Sequence, residues 1–277
     1  SAEAGETAAK TFAAIGTSAR IFDFDLLDDG LLLKQERIRG RIGQPSVPLS
    51  LNPNGAFSIG LQVGRRNLEV VVTDFLGQIQ HTWQHHYPYP SPAEVIPKMA
   101  EGLAHMQQHM GTDWSRVVGI GLSAPLSLHA WGDLMGAQAS LAMADWETID
   151  LLQTVQHMTP LPVEFAKDTP AACVAELLQG HGRHVRNFLY VFVGTFIGGG
   201  LVLSGHIVNG DRGNAGAIGS LPVGLSTERS GMPPQLLQMA SGWQLEQALM
   251  AAGHDPLLVH QEDIMNPTYE GLTQAWL

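Results

Sequence analysis

Three features of the sequence carry groups that could do chemistry. The stretch Phe192-Val-Gly-Thr-Phe-Ile-Gly-Gly-Gly-Leu-Val-Leu203 sets Gly194, Thr195, Gly198, Gly199 and Gly200 between apolar runs. Glycines let backbone N–H groups approach an anion, so the string reads either as a phosphate loop or as the turn of a hairpin. Asp168 follows Lys167 where a strand-like run gives way to a helical one. Its carboxylate is available either for chemistry or as the cap of that helix, and a neighbouring lysine is expected to pair with it and lower its basicity. The third feature is basic: Lys34, Arg37, Arg39 and Arg41 fall within eight positions, and Arg65 and Arg66 follow. Such a local patch suits a small DNA-contacting module.

Other constellations carry less. His105 and His109 have the i,i+4 spacing of a metal pair on a helix, but no carboxylate accompanies them and they read as surface residues. His81, Trp83 and His85 alternate onto one face of a strand, the surface of a sheet or an interface. Ser123, in Gly119-Ile-Gly-Leu-Ser-Ala-Pro-Leu-Ser127, lacks the following glycine of a nucleophile elbow. Met143 and Trp146 read as packing residues first and ligand contacts second. Cys173 is the one cysteine; its neighbours Ala171, Ala172 and Val174 make it a buried structural thiol, and it excludes both an intrachain disulfide and a multi-cysteine zinc site.

These groups must be positioned by a chain of 277 residues with 44% hydrophobic and 15% charged residues, which suits two lobes with a substantial core. The net charge of −11 argues against nonspecific nucleic-acid binding by the molecule as a whole. No apolar run reaches the roughly 18 residues of a membrane span, and the start has no secretory signal; a soluble, cytoplasmic protein is expected. Along the chain, Phe12 to Leu33 has helical spacing that stops at Asp29-Gly30. A short strand, a basic tip and a second strand broken by Pro45 and Pro48 follow. This order is either the end of a winged helix-turn-helix or a helix and a basic hairpin. Asn52-Pro53-Asn54-Gly55 marks a domain boundary.

Beyond it the pattern predicts a meander of three strands, Phe57 to Val63, Asn67 to Asp74 and Gln78 to His85. A helix from Pro92 to about Met110, a buried strand from Val117 to Ser127 and a helix over about 150–158 come next. A strand from Pro162 to Ala166 then leads into a helix from Thr169 to about Gly180. After Arg186 two apolar strands and a third short one before Asn209-Gly210 repeat the opening of the first lobe. The expected domains are 1–50, 51–165 and 166–277.

In this order the pieces resemble the ROK family of bacterial sugar-responsive repressors and sugar kinases. The resemblance rests on Gly40 to Gly64, Gly119 to Ser127, Lys167-Asp168, Gly194 to Val202 and Gly213 to Val223, and covers roughly residues 17 to 277. It implies an α/β, two-lobed, actin-like ATPase (ribonuclease H-like) fold, preceded by a partial winged helix-turn-helix. Against the family's usual extent, the second lobe is expected to be incomplete at its C-terminus.

The departures shape the expected function. The family's kinases carry an Asp-x-Gly-Gly-Thr-Lys phosphate turn where this chain reads Gln62-Val63-Gly64-Arg65-Arg66-Asn67, and phosphoryl transfer depends on that kind of positioning. Their general base is the Asp of an Asn-Asp pair; here the acid is kept as Asp168 after Lys167. Their Gly-Glu-Ile-Gly-His-like sugar turn is Gly216-Ala217-Ile218-Gly219-Ser220, and the cysteine-rich zinc segment is represented by Thr227 to Trp243 without a cysteine. Phe196 stands where the second phosphate loop usually has glycine.

The resemblance therefore implies a transcriptional regulator of the repressor branch, without kinase activity, whose sugar effector binds between the lobes. Effector contacts are expected from Lys167, Asp168, Gly213 and Asn214. DNA contacts are expected from Arg20, Arg37, Arg39 and Arg41 on operator DNA read by a homodimer. Gly194, Thr195, Gly198, Gly199 and Gly200 are the remnant of a nucleotide site. No cofactor and no zinc or other metal is expected. Two alternatives stand beside it: an ATP- and Mg-dependent hexose or N-acetylhexosamine kinase with Asp168 as general base, and a ligand-binding remnant that neither phosphorylates nor binds DNA.

Overall fold

The computed structural model describes residues 25–36, 47–224, 233–256 and 269–276. Near the start, α1 (Asp25–Asp28) ends at Gly30, whose φ of 74° is a conformation that favours glycine, and β1 (Leu32–Lys34) pairs antiparallel with β2 (Leu49–Leu51). The two strands agree with the expected hairpin. The basic tip, with Arg37, Arg39 and Arg41, lies outside the described residues, as does Arg20, and so does most of the expected winged helix.

The chain divides into two compact units after Gln179. The first is built on a five-stranded mixed sheet in the order β5-β4-β3-β6-β7. Strands β3 (Phe57–Val63), β4 (Asn67–Asp74) and β5 (Ile79–His86) form the predicted antiparallel meander, while β6 (Val117–Ala124) and β7 (Val163–Lys167) run parallel to β3. Parallel neighbours need crossovers. Helix α2 (Pro92–Met110) supplies the first. Three short helices, α3 (Leu128–Met135), α4 (Ala137–Met143) and α5 (Leu151–Gln156), lie in the second. Sequence reading carried the strand of β6 on to Ser127 and did not separate α3 and α4, since Gly132 and Gly136 interrupt a short apolar run and weaken its helical period.

The sheet has two unlike faces, because directly paired residues share a face and successive residues alternate. One face carries Ile59, Leu61, Val63, Leu68, Val70, Val72, Ile120 and Leu122, all fully buried. Helix α2 closes on it over β4 and β5, with Val95, Met99, Leu103 and Met106 buried. Gly102 makes this approach possible: a Cβ there would lie 2.8 Å from both Trp83 and Val70 side-chain carbons. The His81-Trp83-His85 face is thus the seat of α2, with His85 Nε2 2.9 Å from Glu94 Oε1. The other face is small and polar: Ser58 and Thr73 share a 2.9 Å hydroxyl hydrogen bond, and Gln62, Glu69 and Ser123 are also buried there. Helix α6 (Asp168–Gln179) follows β7 directly and packs back on β6 and β7. The first unit thus includes β7 and α6, so the division falls later than the boundary at 165 and 166 expected from sequence. Cys173 is buried in α6, and its thiol is pushed up to about 11 by burial and then by Glu176, as befits a structural thiol.

The second unit opens with its own antiparallel sheet, β8 (Phe188–Val193), β9 (Ile197–Leu203) and β10 (His206–Val208), in the order β10-β9-β8. It continues through α7 (Leu236–Met239), α8 (Gly242–Ala251) and α9 (Glu270–Trp276). Among the described residues no helix is long and apolar enough to cross a membrane.

Candidate functional site

The C-terminal ends of β3, β6 and β7 lie side by side, the edge at which open α/β sheets gather ligands. Register places Gln62 beside Ser123, Ser123 beside Ala166, and Ala124 beside Lys167. Asp168 and Thr169 then open α6. The Asp168 carboxylate accepts the Thr169 N–H at 2.8 Å, a bond to the next residue; Asp168 is itself the first residue of the helix. The capping role expected for it is therefore reduced to this local contact. Burial pushes the carboxyl above the usual carboxylate range, although the Thr169 N–H, the Lys167 charge and its own N–H pull the other way. The Lys167 ammonium is pushed down by burial more than Asp168 raises it. Lys167 thus acts on Asp168 in the expected direction, lowering it, but desolvation outweighs that pull.

The turn after β3 is closed upon itself. Gly64 N–H donates to Asn67 O at 2.8 Å, and a Cβ on Gly64 would sit 2.7 Å from Asn67 Oδ1. Tyr87, buried at the end of the meander, directs its hydroxyl to the carbonyls of both Gly64 and Asn67 at 2.8 Å. Arg65 is buried at 5% exposure. With Gln62 in place of a carboxylate and the turn bonded internally, these residues do not fit a magnesium nucleotide. Tyr87→Phe is expected to cost about 1–2 kcal/mol by taking away the Tyr87 bond to Gly64 O, while Asn67 O keeps the bond from Gly64 N–H, read as a lower urea midpoint with an unchanged m-value.

A short cleft of about 440 Å³ lies next to this edge, lined in part by Ser127, His129, Trp146, Asp150 and Phe165. Trp146 forms part of its wall yet is 6% exposed, and its indole N–H donates to Pro90 O at 2.5 Å. Met143 is fully buried. Both therefore pack, as read from sequence.

In the second unit, the Gly194-Thr195 turn is also spoken for. Gly194 O and Thr195 O accept the first N–H groups of α8, from Gly242 at 2.9 Å and Trp243 at 3.0 Å. Ile197 N–H donates to Ser241 Oγ at 2.8 Å, and that hydroxyl donates to Leu237 O at 2.6 Å. Gly198, Gly199 and Gly200 are buried within β9, paired with Phe192, Val191 and Tyr190. Gly199 and Gly200 meet the turn at Gly216, where side chains would collide with backbone. Gly213 belongs to a tight turn, φ 63°, next to Asn214. Lys167 and Asp168 are brought together with the sheet edge of the first unit; Gly213 and Asn214 lie with the glycine strand of the second. Sequence reading gave Tyr87 no role, because the carbonyls its hydroxyl reaches belong to residues distant in the chain, and it set Ser123 aside.

His81, His105 and His109 do approach one another, with ring centroids 6.1 Å apart for His81 and His109 and 4.0 Å for His105 and His109. Among the described residues, however, no group of three His, Cys, Asp or Glu side chains is disposed to hold a metal ion.

The comparisons with known proteins follow the same lines. The ROK family model matches residues 58–275. The xylose repressor of Bacillus spizizenii is 24% identical over 198 residues, covering 72% of this chain and 50% of its own. A glucokinase of Halalkalibacterium halodurans is 26% identical over 166 residues, covering 60% and 49%. The crystal structure of a ROK-family transcriptional regulator, a homologue of the E. coli MLC protein, superposes with a TM-score of 0.62 at 22% identity, covering 91% of this chain and 67% of its own. The chain thus spans about half the length of the relatives it matches in sequence. The fold is that of ROK proteins, the actin-like one, and the chain belongs to the ROK family.

Proposed function

We propose that this chain is the effector-binding part of a sugar-responsive transcriptional regulator that has lost phosphoryl transfer. The observation that carries this reading is the turn from Gln62 to Asn67, whose carbonyls are held by Tyr87 and whose backbone closes on Asn67. A phosphate turn needs its N–H groups and a metal-binding carboxylate directed at the nucleotide; here the carboxylate position is Gln62 and the Gly64 N–H is committed to Asn67 O. The second turn supports the same reading, since the Ile197 N–H is committed to Ser241. The effector is a neutral sugar held at the edge where Asp168 stands, and it acts by biasing the DNA-binding competence of the longer regulator. Operator DNA and a second copy of the chain are the partners this implies.

A second reading, a sugar kinase, has one observation in its favour: the raised carboxyl of Asp168 is the property a general base needs. A coupled assay for ADP release with hexoses, pentoses and N-acetylhexosamines decides between them. The regulator reading expects sugar binding by calorimetry with no turnover. Turnover that Asp168→Asn abolishes would establish the kinase instead.

A further inference from the structure

Three buried side chains at the edge of the first sheet carry polar atoms with no hydrogen-bond partner: Gln62 Oε1, Ser123 Oγ and Thr169 Oγ1. The residues are 8%, 1% and 5% exposed. Their placement is shared rather than scattered. Gln62 and Ser123 are paired on adjacent parallel strands and therefore project from the same face, one residue before the end of each strand. Thr169 opens α6 just past β7, the strand on the other side of β6. Orphaning a buried polar group costs on the order of 1–3 kcal/mol. On the same face Ser58 is bonded to Thr73, and Glu69 Oε1 accepts from Gln84 Nε2. Gln62, Ser123 and Thr169 all fall at the end that leads to Asp168.

We infer that Gln62, Ser123 and Thr169 form a subsite for a hydroxyl group of a neutral polyhydroxy ligand, which reaches them from the Asp168 edge. This rests on the effector reading above. The chemistry favours a hydroxyl because the set contains an amide oxygen that can only accept and two hydroxyls that donate or accept. One ligand O–H satisfies the amide oxygen while its lone pairs take the hydroxyl protons. A fully ionised phosphoryl group such as a nucleotide's brings acceptors alone and would face the Gln62 oxygen without a proton between them. The replacement of a carboxylate by Gln62, damaging for a magnesium nucleotide, is then the change that converts the position to neutral recognition. A site that bonds a substrate hydroxyl also rejects the analogue lacking it, so these residues would set effector specificity.

The test uses the full chain, calorimetric titration with D-glucose, D-xylose, N-acetyl-D-glucosamine, the deoxy analogues of whichever sugar binds and inorganic phosphate, with melting temperature measured in parallel. Ser123→Ala, Thr169→Val and Gln62→Met are each expected to leave the unliganded melting temperature unchanged or higher, because each removes an unsatisfied group. Each is expected to weaken the bound sugar roughly tenfold, and one deoxy analogue should bind wild type and Ser123→Ala equally. Sugar affinity that survives all three substitutions while Asp168→Ala destroys it would overturn the subsite and leave the effector reading standing. No binding of any sugar to the wild type would overturn both. Phosphate binding that Ser123→Ala weakens would make the cluster an anion pocket and overturn the neutral ligand. A melting temperature lowered in all three variants would show that the atoms are structural and overturn the proposal as well.

Discussion

Replacing Gly199 by valine is expected to unfold the second unit, while replacing Gly194 by alanine leaves it folded. The two glycines look equivalent in sequence. A Cβ on Gly199 would meet Tyr190 O at 2.5 Å and Gly216 O at 2.8 Å, both backbone atoms of structures that cannot step aside. A Cβ on Gly194 would meet only the Phe192 ring, at 2.6 Å, and a half-buried side chain can swing away where backbone cannot. Overpacking against fixed backbone costs about 3 kcal/mol at the upper end of its usual range, enough to remove much of the stability of a small unit. Urea denaturation followed by tryptophan fluorescence, with Trp243 and Trp276 in this unit, reads the effect. A Gly194→Ala variant that unfolds as readily as Gly199→Val would show that the turn itself, and not its packing behind β8 and Gly216, requires the glycines. Equal loss of ATP affinity in two folded variants would restore the phosphate-loop reading.

The second large effect is expected at Asp168. Removing the carboxyl in Asp168→Ala should lower sugar affinity by roughly a hundredfold, the loss expected for hydrogen bonds to a charged group. Asp168→Asn separates charge from shape. The folded state holds the carboxyl proton more tightly than the unfolded chain does, because burial raises this group above the usual range. Stability of the wild type therefore falls as pH rises from the ordinary carboxylate value of about 4 through the raised folded value. Below that window the contribution is fully present, and above it the penalty for a buried charge is complete. The asparagine variant cannot ionise, so it should be more stable than the wild type at neutral pH and lack this slope. Denaturation midpoints measured at intervals across the acid and neutral range check it. A wild type that gains stability as pH rises through this window, relative to the variant, would mean that Lys167 outweighs burial.

Much of the architecture was legible in the chain. The alternation of Phe57 to Val63 and Asn67 to Asp74, punctuated by Gly64 and by Gly77, specifies a meander because strand period and turn residues are local properties. Pro92 and Gly111 bracket α2 for the same reason. The position of Asp168 between a strand and a helix was also local, as was the buried character of Cys173. The short helices between β6 and β7 were not legible, since runs of seven or eight residues hold their shape through tertiary packing rather than propensity.

What only the tertiary structure decided is how each polar group is spent. Sequence places Asp168 beside Lys167 but cannot weigh their attraction against desolvation, because burial is set by β6, β7 and α6 together. It shows a glycine-rich turn but not that Gly242 and Trp243 already donate to its carbonyls from some fifty residues further on. It shows Gln62 replacing a carboxylate but not that Ser123, distant in the chain, is its neighbour across a parallel register, with Tyr87 closing the adjoining turn. Hydrogen-bond partners in a crossover sheet are chosen by contacts remote in sequence. The family and its strand order could be read from the chain; whether its polar atoms are free to meet a ligand depended on the fold.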